Sequence, residues 1–509
     1  MRKKNDLEYL RLNKLQKFFY RIGFFITNIP KHLLTFFIFI GKFFVKIFKK
    51  IGNEFKFLGT TFVHGSWKTK ISYFILGFGN ISRGQVAKGL LFFLFEAVFI
   101  FYMITSGGHW LGKFQNLGDA AQVQVYNPTY DTYETIPGDN SFKILLYGLL
   151  TIVFIIAFIV TWRINVKQCY LCDQIEQSGK KVKTNKDDLK SLLDNNFHKT
   201  LLTLPILGVM AFTIIPIIFM ILVAFTNMDA TKDGYSNLFT WVGMDNFNEL
   251  FSFRDSSGGN LSLAFGEILS WTLIWAIFAT FTNYFLGMFV AIMINKKGIK
   301  FKKLWRGIFV LTIAIPQFVS LLYVSKLFAK NGLINGMLMD WGIIKEVIPF
   351  WTDPTLARVM VILINIWIGI PYLMLIATGI LMNIPQDLYE SAKIDGANVW
   401  QQYTRITLPY MLFVTGPYLL TSFIGNLNNF NVIYLLTGGE PTDPRLLTSG
   451  GSAGSTDLLI TWLFKITTGA TNNYKLAAVI AIMIFIVVAV ISLIVYNIMP
   501  SNRNERDFS

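Results

Sequence analysis

The chain has 509 residues, 53% of them hydrophobic, 16% aromatic and only 15% charged, with a formal net charge of +16. Soluble domains carry about 25% charged residues, and the apolar residues here run in stretches of the ~18 or more that cross a bilayer, so a soluble multidomain protein is excluded. The basic excess gathers at the N-terminus and in alternate loops. That distribution is the positive-inside bias of a membrane protein rather than a nucleic-acid-binding patch.

Residues 1–70 are basic and aromatic. Lys42, Lys46, Lys49 and Lys50 fall on one helical face, with Phe43, Phe44, Ile47 and Phe48 over much of the rest. The pattern predicts a cytoplasmic helix lying against membrane lipid. His32–Ile40 is too short to span, and with charge continuing through the first fifty residues the segment is not a cleavable signal. Gly77-Phe78-Gly79, with Gly84 and Gly89, lacks the strand and Lys–Ser/Thr ending of a phosphate loop and reads as a turn before the first span. Eight spans are expected, at about 88–105, 144–162, 201–225, 268–294, 307–326, 357–380, 410–436 and 476–498. Glu96, buried in the first, is expected to be paired or interfacial.

Loop 163–200 holds eight Lys/Arg, and loop 295–306 holds six, namely Lys296, Lys297, Lys300, Lys302, Lys303 and Arg306. Loops 106–142, 226–267 and 437–473 lean acidic. The basic loops belong in the cytoplasm, which puts both termini and loop 381–409 there too. Cys169 and Cys172 form a lone C-x-x-C. A zinc site needs two further ligands, for which only His198 is near, so they read as incidental thiols. His32, His64 and His109 are scattered. No nucleophile–base pair, paired carboxylates or Walker A sequence is present.

Polar residues inside spans are costly and face a cavity or another helix. Asn365, Gly369 and Tyr372 share one face of span six at i, i+4, i+7, with Ile368 beside them. Ser422, Asn426 and Asn429 repeat that spacing in span seven, beside Gly425. Asn428 and Asn431 point elsewhere. Amides both donate and accept hydrogen bonds, which suits sugar hydroxyls, and a tyrosine ring suits the C–H face of a pyranose. Spacing alone equally allows helix–helix hydrogen bonding. Pro371 is expected to interrupt span six nearby.

Loop 381–409 reads Glu390-Ser391-Ala392-Lys393-Ile394-Asp395-Gly396, nine residues, then Ile406-Thr407-Leu408-Pro409, after Ile384-Pro385-Gln386-Asp387-Leu388-Tyr389. It resembles the EAA loop of ABC importer permeases, departing only with Ser391 for Ala. Small residues at Ser391 and Ala392 allow close helix packing, Gly396 can take a backbone conformation barred to others, and Pro409 is expected to mark the break before span seven. From Leu201 to Met499 the chain resembles the MalF-type maltose/maltodextrin permeases. The resembling segments are Trp241–Phe247, Asn365–Tyr372, Ser422–Phe430 and Ser455–Leu459.

The resemblance implies an all-α, eight-helix membrane protein with a type I importer core. Its parts would be a peripheral 1–70 segment, peripheral spans one and two within 71–200, and a permease core at 201–509 with a coupling loop at 384–409. It implies that Glu390, Ser391, Ala392, Asp395, Gly396, Leu408 and Pro409 couple to an ATPase, and that Asn365, Ile368, Gly369, Tyr372, Ser422, Gly425, Asn426 and Asn429 contact sugar. It also implies a MalG-like second permease, a MalK-like ATPase homodimer carrying ATP and Mg, and an extracytoplasmic sugar-binding protein that delivers maltodextrin. No cofactor and no nucleic acid belongs to this chain. Two departures stand out. Outer loop 226–267 is short where enteric members carry a folded domain, and Ile313 in Leu311–Pro316 stands where they have an aromatic ligand contact. A permease for another oligosaccharide and a self-sufficient secondary transporter are the rival expectations.

Overall fold

The computed structural model describes residues 38, 41–42, 45–46, 48–232, 238–252, 260–296, 298–448, 451–469 and 472–498. Phe43, Phe44, Ile47, Lys297 and all of 32–40 except Ile38 lie outside them. Among the described residues, seven helices are long and apolar enough to cross a membrane: Val86–Lys113, Ser141–Gln177, Phe197–Val223, Leu261–Asn295, Pro354–Leu381, Val399–Leu427 and Tyr474–Ile494. Lys302–Ala314 and Gln317–Leu327 form a bent apolar pair that meets at 89°, and taken as one broken span they make an eighth candidate crossing. Shorter helices and two short hairpins make up the connections among the described residues. Val123–Asn127 pairs antiparallel with Thr132–Ile136, and Thr442–Thr448 pairs with Gly451–Gly454 across an irregular register.

Several boundaries depart from expectation. Span five is not one straight helix. Pro316 lacks a backbone N–H and holds Ile315 in extended backbone (ψ 125°), so the helix stops at Ala314 and restarts at Gln317. Span six does run on, since Pro371 sits inside an unbroken Pro354–Leu381. Span seven starts at Val399, ahead of Pro409, because a wide turn at Tyr403–Thr407 absorbs the proline. It ends at Leu427, and Phe430–Leu436 is a separate helix. The basic loop at 163–200 is helical as far as Gln177.

The chain divides into two compact units, Met1–Leu111 with Leu149–Gly208 and Gly112–Gly148 with Val209–Ser509. In the first, Gly77 takes φ +81° and lies so close to the first span that a Cβ there would stand 2.0 Å from the Gly89 carbonyl oxygen. Arg83 makes a fully buried ion pair with Asp173, whose carboxylate also accepts from the Ser66 amide and hydroxyl at 2.9 and 2.6 Å. Glu96 accepts from the Leu76 amide at 2.8 Å. Cys169 and Cys172 are free and buried.

In the second unit, spans four and six pack along most of their length. Helices in a bilayer gain little from excluding lipid, so close van der Waals fit and hydrogen bonds hold them. Gly287 provides one close approach, where a Cβ would stand 2.6 Å from Leu373 Cβ. The Trp241–Phe247 motif closes the C-terminal end of span three. Trp241 Nε1 donates to the Phe114 carbonyl at 3.0 Å, and Asn246 Nδ2 donates to the carbonyls of Ala224 and Thr226 at 2.8 and 2.7 Å. The Ser455–Leu459 segment is a buried knot. Trp271 Nε1 donates to the Thr456 carbonyl at 3.2 Å, and Arg358 stacks over Trp271 while its Nε donates to the Ser455 carbonyl at 2.7 Å. Asp457 accepts from Lys465 Nζ and the Gly454 amide at 2.7 Å and from Thr461 Oγ1 at 2.9 Å. Burial pushes the Asp457 carboxyl up, against the pull of Lys465 and its other donors.

Candidate functional site

The loop that resembles the EAA motif folds as two helices joined by a tight turn. Gln386–Ile394 is the first, entered through Pro385. Asp395 caps it, and Gly396 follows at φ +78°. The Ala397 amide returns to the Ala392 carbonyl at 2.8 Å and the Gly396 amide to the Lys393 carbonyl at 3.0 Å. Those two bonds are the Schellman ending that glycine favours. Asn398 and Gln401 then cap the next helix reciprocally, with bonds of 2.9 and 2.8 Å. Tyr389 hydroxyl bonds Thr407 Oγ1 at 2.8 Å, tying the loop helix to the base of span seven.

Glu390, Ser391, Asp395, Gly396 and Pro409 are exposed, Ala392 and Leu408 partly buried. Leu408 packs into the cluster around Met288, Met374 and Met411. Sequence reasoning missed the apolar residues around the turn. Ile394 is 87% exposed, Val399 82% and Trp400 68%. The adjacent Val399-Trp400 pair, apolar within a polar loop, was the available signal.

The polar faces of spans six and seven are only partly alike. Asn365 is buried; Ile368 and Gly369 are partly buried; Tyr372 is half exposed. Gly369 is covered by span four, since a Cβ there would stand 2.4 Å from Asn283 Nδ2. Tyr372 lies 6.4 Å, ring to ring, from Tyr418 of span seven. One turn on from Tyr418 is Ser422, partly buried, and beside it Gly425 is exposed with open space around its Cα.

Asn429 does not continue the span-seven helix, which has ended at Leu427; its Oδ1 caps the next helix by accepting from the Val432 amide at 3.3 Å. Its Nδ2 nevertheless donates to Asn426 Oδ1 at 3.3 Å, so the turn keeps the two amides together. Asn426 Nδ2 donates to Thr280 Oγ1 at 3.0 Å, and its carbonyl accepts from Trp275 Nε1 at 3.0 Å. Span four thus backs both faces through Trp275, Thr280 and Asn283. None of these entered the site expected from sequence, where a single polar residue in an apolar helix reads as packing. Ile313, at the end of the first half of span five, is exposed. Among the described residues no group of three His, Cys, Asp or Glu side chains is arranged to hold a metal.

A family profile described as a binding-protein-dependent transport system inner membrane component matches residues 283–503. The maltodextrin transport system permease protein MalC of Streptococcus pneumoniae is 35% identical over 84% of this chain and 95% of its own length. The galactooligosaccharides transport system permease protein GanP of Bacillus subtilis is 31% identical over 82% of this chain and 94% of its own. Among solved structures, a chain of a bacterial ABC transporter involved in the import of the acidic polysaccharide alginate superposes with a TM-score of 0.49 at 24% identity, over 62% of this chain and 98% of that one.

Proposed function

Because the chain belongs to the binding-protein-dependent sugar permeases of ABC importers, we propose that it lines the path for maltodextrins and is driven by a separate ATPase docked on its 386–402 loop. The observation that carries the reading is the state of that loop. Its turn is built by backbone bonds and caps, so it is rigid, while Ile394, Val399 and Trp400 stand in solvent. Apolar side chains held out on a rigid turn suit insertion into a partner's groove.

The partners are a MalG-like second permease, a MalK-like ATPase pair holding ATP and Mg, and an extracytoplasmic sugar-binding protein. The chain lies in a bacterial cell membrane with both termini in the cytoplasm, the side on which the basic loops fall. Sugar contacts come from Tyr372, Ser422, Gly425, Asn426 and Asn429, with Asn365, Ile368 and Gly369 deeper in span six. Closure of the ATPases pulls the loop and shifts the cavity between its two facings, which requires each state to make its own contacts.

The test is a tagged pull-down from native membranes in mild detergent, with mass spectrometry and uptake of labelled maltotriose into proteoliposomes of the recovered complex. A second permease and a P-loop ATPase are expected to co-purify. Recovery of the chain alone, transporting sugar without ATP, would make it a secondary transporter. The likeness to the galactooligosaccharide permease favours a second substrate reading. Competition by a galactooligosaccharide but not by maltotetraose would select it.

A further inference from the structure

Spans four and six press two apolar clusters together. Toward the outer end, Trp275 and Ala279 join Val361 and Ile364. Toward the inner end, Tyr284 and Met288 join Leu373 and Met374. Between the clusters the seam turns polar at Asn283, 7% exposed, and Asn365, 6% exposed. Asn283 Nδ2 donates to the Ala279 carbonyl of its own helix at 2.8 Å. Its Oδ1 has no hydrogen-bond partner, and neither has Nδ2 of Asn365.

An acceptor on one span and a donor on the next are thus both buried and both unpaired. Asn365 lies one turn from Gly369, and the Asn283 carboxamide occupies the room over Gly369. One turn further in, Gly287 meets Leu373 in the same way. Unpaired amide atoms in a bilayer are costly, so an arrangement that leaves two of them within about a helical turn favours whatever displacement joins them. A shift of span six along span four supplies that displacement, and shifts of packed helices are a known form of two-state change.

We propose that Asn283 is a positioning residue of the sugar site. Seated over Gly369, it accepts from Asn365 when span six moves, and so sets how the Asn365–Gly369–Tyr372 face is presented to sugar. This rests on the sugar-importer reading above. It adds a residue of span four that acts through span six rather than on the sugar itself.

Four variants test it in the assembled importer with labelled maltotriose. Asn283→Leu keeps the branched outline in a somewhat larger volume and removes both the acceptor and the bond to the Ala279 carbonyl. The half-saturation concentration for uptake is expected to rise about ten-fold, the effect falling there rather than on the maximal rate. Asn283→Asp, neutral when buried, keeps both an acceptor and a donor and is expected to hold half-saturation within about three-fold of the parent. Gly369→Ala is expected to clash with Asn283. Adding Asn283→Ala is expected to restore assembly but leave half-saturation raised, which keeps the test open if the leucine variant fails to assemble. Unchanged half-saturation in Asn283→Leu, or full restoration in the double variant, would overturn the proposal. If Tyr372→Ala and Asn426→Ala raise half-saturation while Asn283→Leu does not, only the positioning role falls. If none of the three changes it, the sugar-site reading falls as well.

Discussion

Two short segments drew attention in the sequence for the same reason, their likeness to one transporter family, and the fold treats them in opposite ways. Ser455–Leu459 is between 0% and 4% exposed and meets Trp271, Arg358, Thr272 and Lys465 through bonds of 2.7 to 3.2 Å. Glu390–Gly396 is mostly exposed, with Ala392 its only partly buried residue. The Ser455–Leu459 segment is therefore constrained by the fold of this chain. The Glu390–Gly396 segment is constrained by backbone geometry alone, and the side chains it displays find no cover within the chain. Motif likeness is thus two signals, one of folding and one of docking, and burial separates them.

Substitutions can break that comparison, and they rank by their expected effect on the fold. Asp457→Ala removes the buried carboxylate that pairs with the partly exposed Lys465, together with the acceptor of the Gly454 amide. It is expected to destabilise the unit by about 3–5 kcal/mol, seen as a lower melting temperature and poor recovery in size-exclusion chromatography. Next comes Gly396→Leu. Nothing stands within 4 Å of a Cβ at 396, so the cost is confined to the left-handed backbone, about 1–2 kcal/mol. Melting should fall slightly while ATP-driven uptake is lost. Glu390→Lys is expected to leave melting within about 0.5 kcal/mol of the parent and to abolish co-purification of the ATPase; normal uptake would sink the docking role. Smallest for the fold is Trp400→Ala, expected to leave melting unchanged and to weaken ATPase binding. A large melting shift in Trp400→Ala would show that the loop is covered by its own chain and collapse the contrast with the Ser455–Leu459 segment.

What was legible in the sequence follows from which forces act locally. The spans were readable because the need for ~20 apolar residues is a property of each run alone. Gly396 was readable because its turn is closed by its own neighbours. The prolines misled in both directions. Pro371 and Pro409 sit within continuous helices, since packing and a wide turn re-satisfy the freed carbonyls, whereas Pro316 bends its span by 89°. Asn429 was placed on span seven by helical spacing, but the helix ends before it. The 3.6 period stops at Leu427, and the asparagines that follow bond to backbone instead, Asn428 to the Ile424 carbonyl and Asn429 to the Val432 amide. Asn283 was invisible because its significance lies in what stands across from it, a glycine eighty-odd positions later in the chain.

The elbow at Ile315–Pro316 carries a consequence for hydration. A helix that ends leaves its last four carbonyl oxygens without helical donors, and hydrocarbon offers none. Leu311 and Ile313, at that end, are exposed on this chain. Irregular backbone at membrane depth persists only against protein or beside water. The elbow therefore marks a point along the chain where freed carbonyl oxygens need donors from protein or water rather than lipid.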